Sequence, residues 1–323
     1  MKKIMNFLYE GEPLEVNLRE LIEKKNLSLN RKFIILLIKI FRIAYKNYQR
    51  MFLKPSIREY LKSLEKIFFY ERKKIDYNFH YKQATVLKRD GVLEVEDIFS
   101  KEELEITIRE LSENLLLNPV YTSHEDFYLH SPPADAVTGY INTETLLKTS
   151  YVLKVAHNEK ILKILQNYFD CKFKLDWVWG WWSFPNSNKI GPQMFHRDYE
   201  SMNFIKVFTY LTDVDIDNGP HEIVIGSHKI DKLYKRERFS DENVSKNFDS
   251  KLKKTILGKK GKTFLADTFA LHRGLQPKKN SRLVLVFLYS VIPSNRSPKI
   301  PFLKKEDYKF QLKKNYINKL FIE

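Results

Sequence analysis

The chain carries one cysteine, Cys171, in 323 residues. No internal disulfide can form and a structural zinc held by several thiolates is excluded, so a reducing cytoplasm is the expected setting. Long apolar runs are missing too. The most apolar stretch, Phe33–Tyr45, is 13 residues long and carries Lys39 and Arg42, whereas a bilayer-spanning helix needs roughly 20 apolar residues. It does not read as a secretory signal either, because Glu10, Glu12, Glu15, Glu20 and Glu23 precede it. No internal repeat or low-complexity tract is visible, which excludes repeat architectures.

What remains is ordinary for a folded soluble chain: 43% hydrophobic and 30% charged residues, with enough length to bury a large core. One large domain plus an extension is expected. The net charge of +16 would suit a nucleic-acid, membrane or anionic-substrate partner. An AT-rich coding sequence, which enriches Lys, Ile, Asn, Phe and Tyr, accounts for it equally well, and no nucleic-acid recognition motif accompanies the charge.

Residues 1–80 read as an N-terminal helical extension. Leu61, Leu64, Ile67 and Phe68 recur at helical spacing after Phe33–Tyr45, which predicts a helical hairpin packing as core; the alternative is a basic amphipathic helix lying on a membrane surface. The main domain, 81–323, starts near Tyr81. A turn at Asp90-Gly91 leads into a short strand, Val92–Val95. Ser100 and Glu103 then form a capping box, opening a helix with Leu104, Ile108, Leu111 and Leu115 on one face. Residues 118–150 read as loop with short elements, broken at Ser131-Pro132-Pro133 and containing His124 and His130. Leu153–Phe169 reads as a single amphipathic helix. Lys172–Ser183 alternates, predicting a strand with Phe173, Leu175, Trp177, Trp179 and Trp181 on one face. The loop Pro185–Pro192 is placed to touch substrate. Phe204–Val214, His221–Ile225, Thr263–Ala266 and Arg282–Val291 supply further strands, with a turn at Asn218-Gly219. Many short strands framed by helices predict a mainly β fold with α, a cupin-like double-sheet jelly roll. An insertion at about 229–262 is strongly basic, twelve Lys or Arg against five Asp or Glu between His228 and Lys262. It reads either as a solvated helical excursion or as a patch recruiting an anionic substrate: a phosphorylated metabolite, a CoA thioester or an acidic carrier protein. A second basic tail, Lys304–Lys319, follows.

The chemistry concentrates in Phe195–His228. His196 and Asp198 are two potential metal ligands separated by one residue, and in an extended segment both project to the same face. A third ligand would complete a facial set on an iron-type metal, with open positions for a co-substrate and a gas. His272 is the candidate, and Arg282 follows ten residues later at the start of an apolar strand.

His196, Asp198, the segment YLTDVDIDNGPHEIVIGSH, His272 with Arg282, and the upstream LKRDGVLEVEDIFSKEEL together resemble the phytanoyl-CoA dioxygenase family of Fe(II)/2-oxoglutarate oxygenases, from about Lys82 to Val291. The resemblance implies a double-stranded β-helix whose His196, Asp198 and His272 hold Fe(II) as the catalytic centre. Three positions would be left for bidentate 2-oxoglutarate and dioxygen. Arg282 would pair bidentately with the distal carboxylate of 2-oxoglutarate, a geometry that a planar guanidinium suits, and Lys206 and Tyr210 would help hold the co-substrate. 2-Oxoglutarate would become succinate and CO2 while a small organic substrate, anionic or carrier-linked, is hydroxylated. Hydroxylation rather than halogenation is implied because Asp198 occupies the position that halogenases leave to a small residue. His221 and His228 would hydrogen-bond around the Gly226-Ser227-His228 turn. Gly274 stands where some relatives carry a hydroxyl that binds the co-substrate. The rival expectation is a non-catalytic β-roll protein attached to membrane surfaces through its basic segments.

Overall fold

A computed structural model describes residues 52–69, 79–96, 98–118, 125–185, 193–292, 294 and 303. The Phe33–Tyr45 run, His124, most of the Pro185–Pro192 loop and the Lys304–Lys319 tail lie outside them. In chain order the elements are α1 (Pro55–Phe69), α2 (Phe79–Asp90), β1 (Val92–Val95), α3 (Lys101–Ser112), β2 (Leu115–Leu117), β3 (Phe127–Tyr128) and β4 (Thr138–Ile141). There follow α4 (Thr143–Lys148), α5 (Val152–Ala156), α6 (Glu159–Phe169), β5 (Lys174–Ser183), β6 (Phe204–Tyr210) and β7 (His221–Val224). The last are α7 (Asp241–Asn247), β8 (Lys253–Ile256), β9 (Thr263–Ala266), β10 (His272–Gly274) and β11 (Arg282–Ser290).

Two antiparallel sheets face each other. The larger runs β1-β9-β6-β11-β5-β4-β2-β3 and the smaller β10-β7-β8. Residues 195 and 196 extend the smaller sheet past β10, through an isolated bridge between His196 and His272. The expected double-stranded β-helix is therefore present. Phe208, Ile223, Ile256, Phe264, Val284 and Val286 fill the space between the sheets. On the outer face of the larger sheet, Leu165, Phe169, Leu175, Val178, Leu285 and Phe287 join the helices in a second core. Both faces of the central strands are thus covered, which is why β6 and β11 are buried along their whole length and read as nearly unbroken apolar sequence.

Local signals account for the helices. Ser100 accepts from the Glu103 amide and Glu103 reaches back to the Ser100 amide, closing the expected capping box on α3. That helix stops at Ser112, so Leu115 does not share its buried face; it lies on β2 and is 41% exposed. The single helix expected over Leu153–Phe169 is two helices. Asn158 accepts from the Lys160 and Ile161 amides and restarts the chain as α6, because an Asn side chain competes for backbone donors better than the turn it interrupts. Helix α6 then buries six side chains, among them Ile161, Leu165 and Phe169, each worth roughly 1.5–3 kcal/mol of apolar burial.

Helix α1 departs from its apolar stripe. Ile67 is 71% exposed, whereas Arg58, Lys62, Glu65 and Phe69, spaced four, three and four residues apart, are buried. The buried charges find partners in the β domain. Arg58 donates to the Ser201 and Met202 carbonyls at 2.6 and 3.1 Å and lies 4.2 Å above the Phe269 ring. Lys62 bonds Asp267 at 3.1 Å.

Strand β5 also departs from its simple alternation. In its ladder with β11, Leu288 pairs with Trp177 while Tyr289 pairs with Leu175, so Asp176 is an extra residue, a bulge. One inserted residue reverses which face each neighbour addresses. Phe173 and Leu175 consequently join Val178 and Trp182 against the helices, Trp179 and Trp181 turn into the space between the sheets, and Trp177 packs beside Phe204, Phe269 and Leu288. Gly180 sits on the helix side, where a Cβ would come within 2.7 Å of Leu146.

Candidate active site

His196 and His272 are opposite each other across two backbone hydrogen bonds, each amide donating to the other's carbonyl at 2.9 and 3.0 Å. Their rings are 4.3 Å apart between centroids. The Asp198 amide donates to the Thr268 carbonyl at 2.9 Å, which carries its carboxylate to the same side. The imidazole Nε2 atoms of His196 and His272 lie 3.7 and 3.3 Å from the two Asp198 oxygens, and one ligand atom from each residue falls within 4.8 Å of the other two. Ligands about 2.1 Å from one metal stand about 3 Å apart when adjacent, so the set needs little adjustment.

Both imidazoles are held the same way. Each Nδ1 lies 2.9 Å from the carbonyl two residues earlier, Met194 for His196 and Ala270 for His272. A carbonyl only accepts, so Nδ1 carries the proton and the Nε2 lone pair faces Asp198, as metal ligation requires. Burial, with His272 alongside, pushes His196 down to about 3, so its ring is neutral at physiological pH. Burial opposes ionisation of Asp198, yet the Lys206 ammonium outweighs it and the carboxyl is held well below its ordinary range.

An arginine follows each histidine and points away from the site. Arg197 donates to the Phe269, Lys232 and Leu233 carbonyls at 2.6, 2.9 and 3.0 Å. Arg273 bonds Glu222 at 2.7 Å and Asp241 at 2.8 Å, and lies 4.3 Å above the Phe195 ring. The alternation that sends the ligands inward sends these cations outward to anchor the strands. His196-Arg197 and His272-Arg273 are the local signal, and it is visible in the sequence.

The ligands open onto a cavity of about 580 Å³ between the sheets, whose wall includes Trp179, Trp181, Glu200, Arg238, Gln276 and Arg282. Lys206 enters it from β6 and bonds Asp198 at 2.7 Å and Glu200 at 2.9 Å, with its ammonium 5.1 Å from the Trp179 ring. The Tyr210 ring also lines the cavity, but its hydroxyl donates to the Ile256 carbonyl at 3.0 Å and accepts from the His221 amide at 2.9 Å. Arg282 is fully inside: its Nη2 donates to Ser183 Oγ at 3.2 Å, and among the described residues Nε has no partner. Burial pushes its guanidinium down from the ordinary arginine value, and among the described residues no carboxylate pairs with it. An isolated buried cation is costly unless an anion joins it, so the chamber beside Arg282 suits a carboxylate.

The two further histidines of the motif serve differently. His228 Nε2 lies 3.2 Å from the Lys88 carbonyl, tying the Gly226-Ser227-His228 turn to the end of α2. His221 instead stacks 5.4 Å from His272 and packs on Phe208 and Phe264, and among the described residues its Nε2 has no partner. His130 is exposed, stacked on Tyr128, and takes no part in the site. Within the basic insertion only the short α7 is α-helical, and β8 pairs with β7. Much of its charge is matched by the domain, Lys254 and Lys262 by Glu94, Lys259 by Asp213 and Lys260 by Glu105. Arg238 is the insertion residue that reaches the cavity wall. Glu200 and Ser183 were not singled out by sequence, although each continues an alternation already noted: His196, Asp198, Glu200 on one strand edge, and Trp177, Trp179, Trp181, Ser183 on β5.

A family model described as phytanoyl-CoA dioxygenase matches residues 50–278. No curated protein matches the chain. Among solved structures, EctD from S. alaskensis with 2-oxoglutarate and 5-hydroxyectoine is 18% identical, covering 69% of this chain and 79% of its own, with a TM-score of 0.49. HygX from Streptomyces hygroscopicus with nickel, 2-oxoglutarate and hygromycin B is 15% identical over 73% of this chain and 95% of its own, TM-score 0.45. The epimerase SnoN with Fe3+, alpha-ketoglutarate and nogalamycin RO is 15% identical over 66% and 83%, TM-score 0.48.

Proposed function

Since the chain belongs to the phytanoyl-CoA dioxygenase family, we propose that it is an Fe(II)/2-oxoglutarate-dependent dioxygenase hydroxylating a small anionic organic substrate. The observation that carries this reading is the convergence of His196, Asp198 and His272 with both Nε2 lone pairs free to bind. Two neutral imidazoles and one carboxylate give a divalent iron one compensating charge and leave an open face. Arg282, buried and without a carboxylate partner among the described residues, takes the distal end of 2-oxoglutarate. Lys206 keeps Asp198 ionised and aimed, while Tyr210 contributes a ring wall, its hydroxyl being committed to the backbone. With both groups bound, the centre supplies an oxidant from dioxygen while 2-oxoglutarate becomes succinate and CO2. The oxygenase domain runs from about residue 81 onward, with α1 clamped to it from the N-terminal extension.

For the substrate, Trp179 and Trp181 offer flat apolar surface and Arg238 a cation at the cavity. That pairing suits a compact organic anion, with phosphate or carboxylate toward Arg238. A carrier or CoA link would have to extend out of the cavity, and Lys254, Lys259, Lys260 and Lys262 of the insertion are already matched by carboxylates of the domain. The membrane-attached alternative rests in part on the Phe33–Tyr45 run, which lies outside the described residues; among the described residues no helix is long and apolar enough to cross a bilayer.

The test is spectroscopic. Protein with Fe(II) and 2-oxoglutarate, held anaerobically, is expected to show a metal-to-ligand charge-transfer band that His272→Ala abolishes. Identical featureless spectra from both proteins would end the assignment.

A further inference from the structure

We propose that Ser183 completes the site for the distal carboxylate of 2-oxoglutarate, supplying from β5 the hydroxyl that β10 lacks; this rests on the oxygenase reading above. Ser183 is directly opposite Arg282 in the β5–β11 ladder, so both side chains address the interior together. Gly274 looks onto the same spot: a Cβ there would stand 3.5 Å from Arg282 Nη2 and 3.9 Å from Nη1. Strand β10 therefore approaches the guanidinium but brings no side chain to it. Tyr210, across the chamber, has its hydroxyl engaged by backbone. That leaves Ser183 as the hydroxyl already in contact with Arg282.

The direction of its hydrogen bond matters. An arginine can only donate, so Ser183 Oγ accepts from Nη2 and its own proton must point elsewhere. Among the described residues no hydrogen bond takes that proton. A carboxylate beside Arg282 would receive one bond from the guanidinium and a second from a hydroxyl that Arg282 itself polarises, a chain in which each bond strengthens the next. Ser183 is buried and the neighbouring Val284, Trp181 and Tyr210 rings and methyls also line this chamber, so little water competes for the same donors. Ser183 is thus a positioning residue for the co-substrate rather than part of the metal set.

Charge-transfer titration of the anaerobic Fe(II) protein measures the affinity for 2-oxo acids without turnover. Ser183→Ala is expected to weaken 2-oxoglutarate about tenfold, the loss of one charge-assisted hydrogen bond. It should change the affinity for 2-oxobutanoate, which chelates iron through the same end but has no distal carboxylate, by less than about twofold. Adding Gly274→Ser to Ser183→Ala should recover most of the loss, since that side chain faces the same guanidinium. The proposal is overturned if Ser183→Ala leaves 2-oxoglutarate binding unchanged, or weakens both acids equally, which would mark a general disturbance of the strand. A wild-type protein that binds Fe(II) yet shows no band with either acid would overturn the oxygenase reading itself.

Discussion

The Asp267 cluster and the Arg282 chamber both bury full charges, and they differ in whether the chain supplies the counter-charge. Asp267 is nearly inaccessible. One oxygen accepts from Lys62 at 3.1 Å and from the Tyr168 hydroxyl at 2.9 Å, and the other from the Phe269 amide at 3.1 Å. Lys62 in turn bonds Glu59 at 2.9 Å. Arg282, equally deep, has a serine hydroxyl and, among the described residues, no partner for its Nε. A closed network is scaffolding, joining α1, α6 and the segment that leads into His272. An open one is an invitation to a ligand, retained at some cost to stability.

The comparison can be broken by substitution, starting with the largest effect. Lys62→Met leaves Asp267 buried and unpaired and should cost about 3–5 kcal/mol of unfolding free energy by denaturant titration. A loss under about 1 kcal/mol would mean that the network does not hold α1 in place. Arg282→Met should act in the opposite sense on the fold: 2-oxoglutarate binding falls about 100-fold, while the melting temperature holds or rises because an uncompensated cation is gone. A melting temperature well below wild type would contradict the contrast drawn above.

Acid sharpens it further. Burial alone would raise the Asp267 carboxyl, but Lys62, His228 and the Tyr168 hydroxyl hold it at about 2, against an ordinary 3.8. A depressed folded value stabilises the fold above the unfolded value and is lost as pH falls through the folded one. Stability worth roughly 2 kcal/mol should therefore disappear between about pH 4 and pH 2, and Asp267→Asn should flatten that part of the profile. Equal slopes in the two proteins would remove Asp267 from the account. The smallest effect belongs to a cap. Asn158→Ala should cost about 1 kcal/mol, and chemical denaturation that finds no change would mean α5 and α6 are separated by packing alone.

The candidate metal-binding group, His196, Asp198 and His272, was legible in the sequence because an alternating pair and a distant histidine are one-dimensional patterns, and the capping box at Ser100 because it closes within four residues. The bulge at Asp176 was not, because a bulge is a property of two strands: nothing in Lys172–Ser183 shows that β11 skips a partner there. The same limit hid Ser183, whose meaning depends on Arg282 lying across a ladder and Gly274 lying across the chamber. Helix α1 misleads for a different reason. Its Leu and Ile spacing is a sound helix signal, but Arg58 and Lys62 take the interior because carbonyls, an aromatic face and Asp267 wait for them there, and a hydrophobic pattern cannot register partners contributed from residues 201–269.

The reciprocal amide–carbonyl pair joining residues 196 and 272 belongs to the backbone, so these two donors are in place before any ion arrives. No segment has to fold around the metal, and removing the ion with a chelator should leave the β-roll intact. Readiness also means poor discrimination: for the same nitrogen and oxygen donors, nickel and copper bind more tightly than ferrous iron. Which ion the protein carries is therefore decided by what its surroundings supply, and a misloaded molecule would be as well folded as a correctly loaded one.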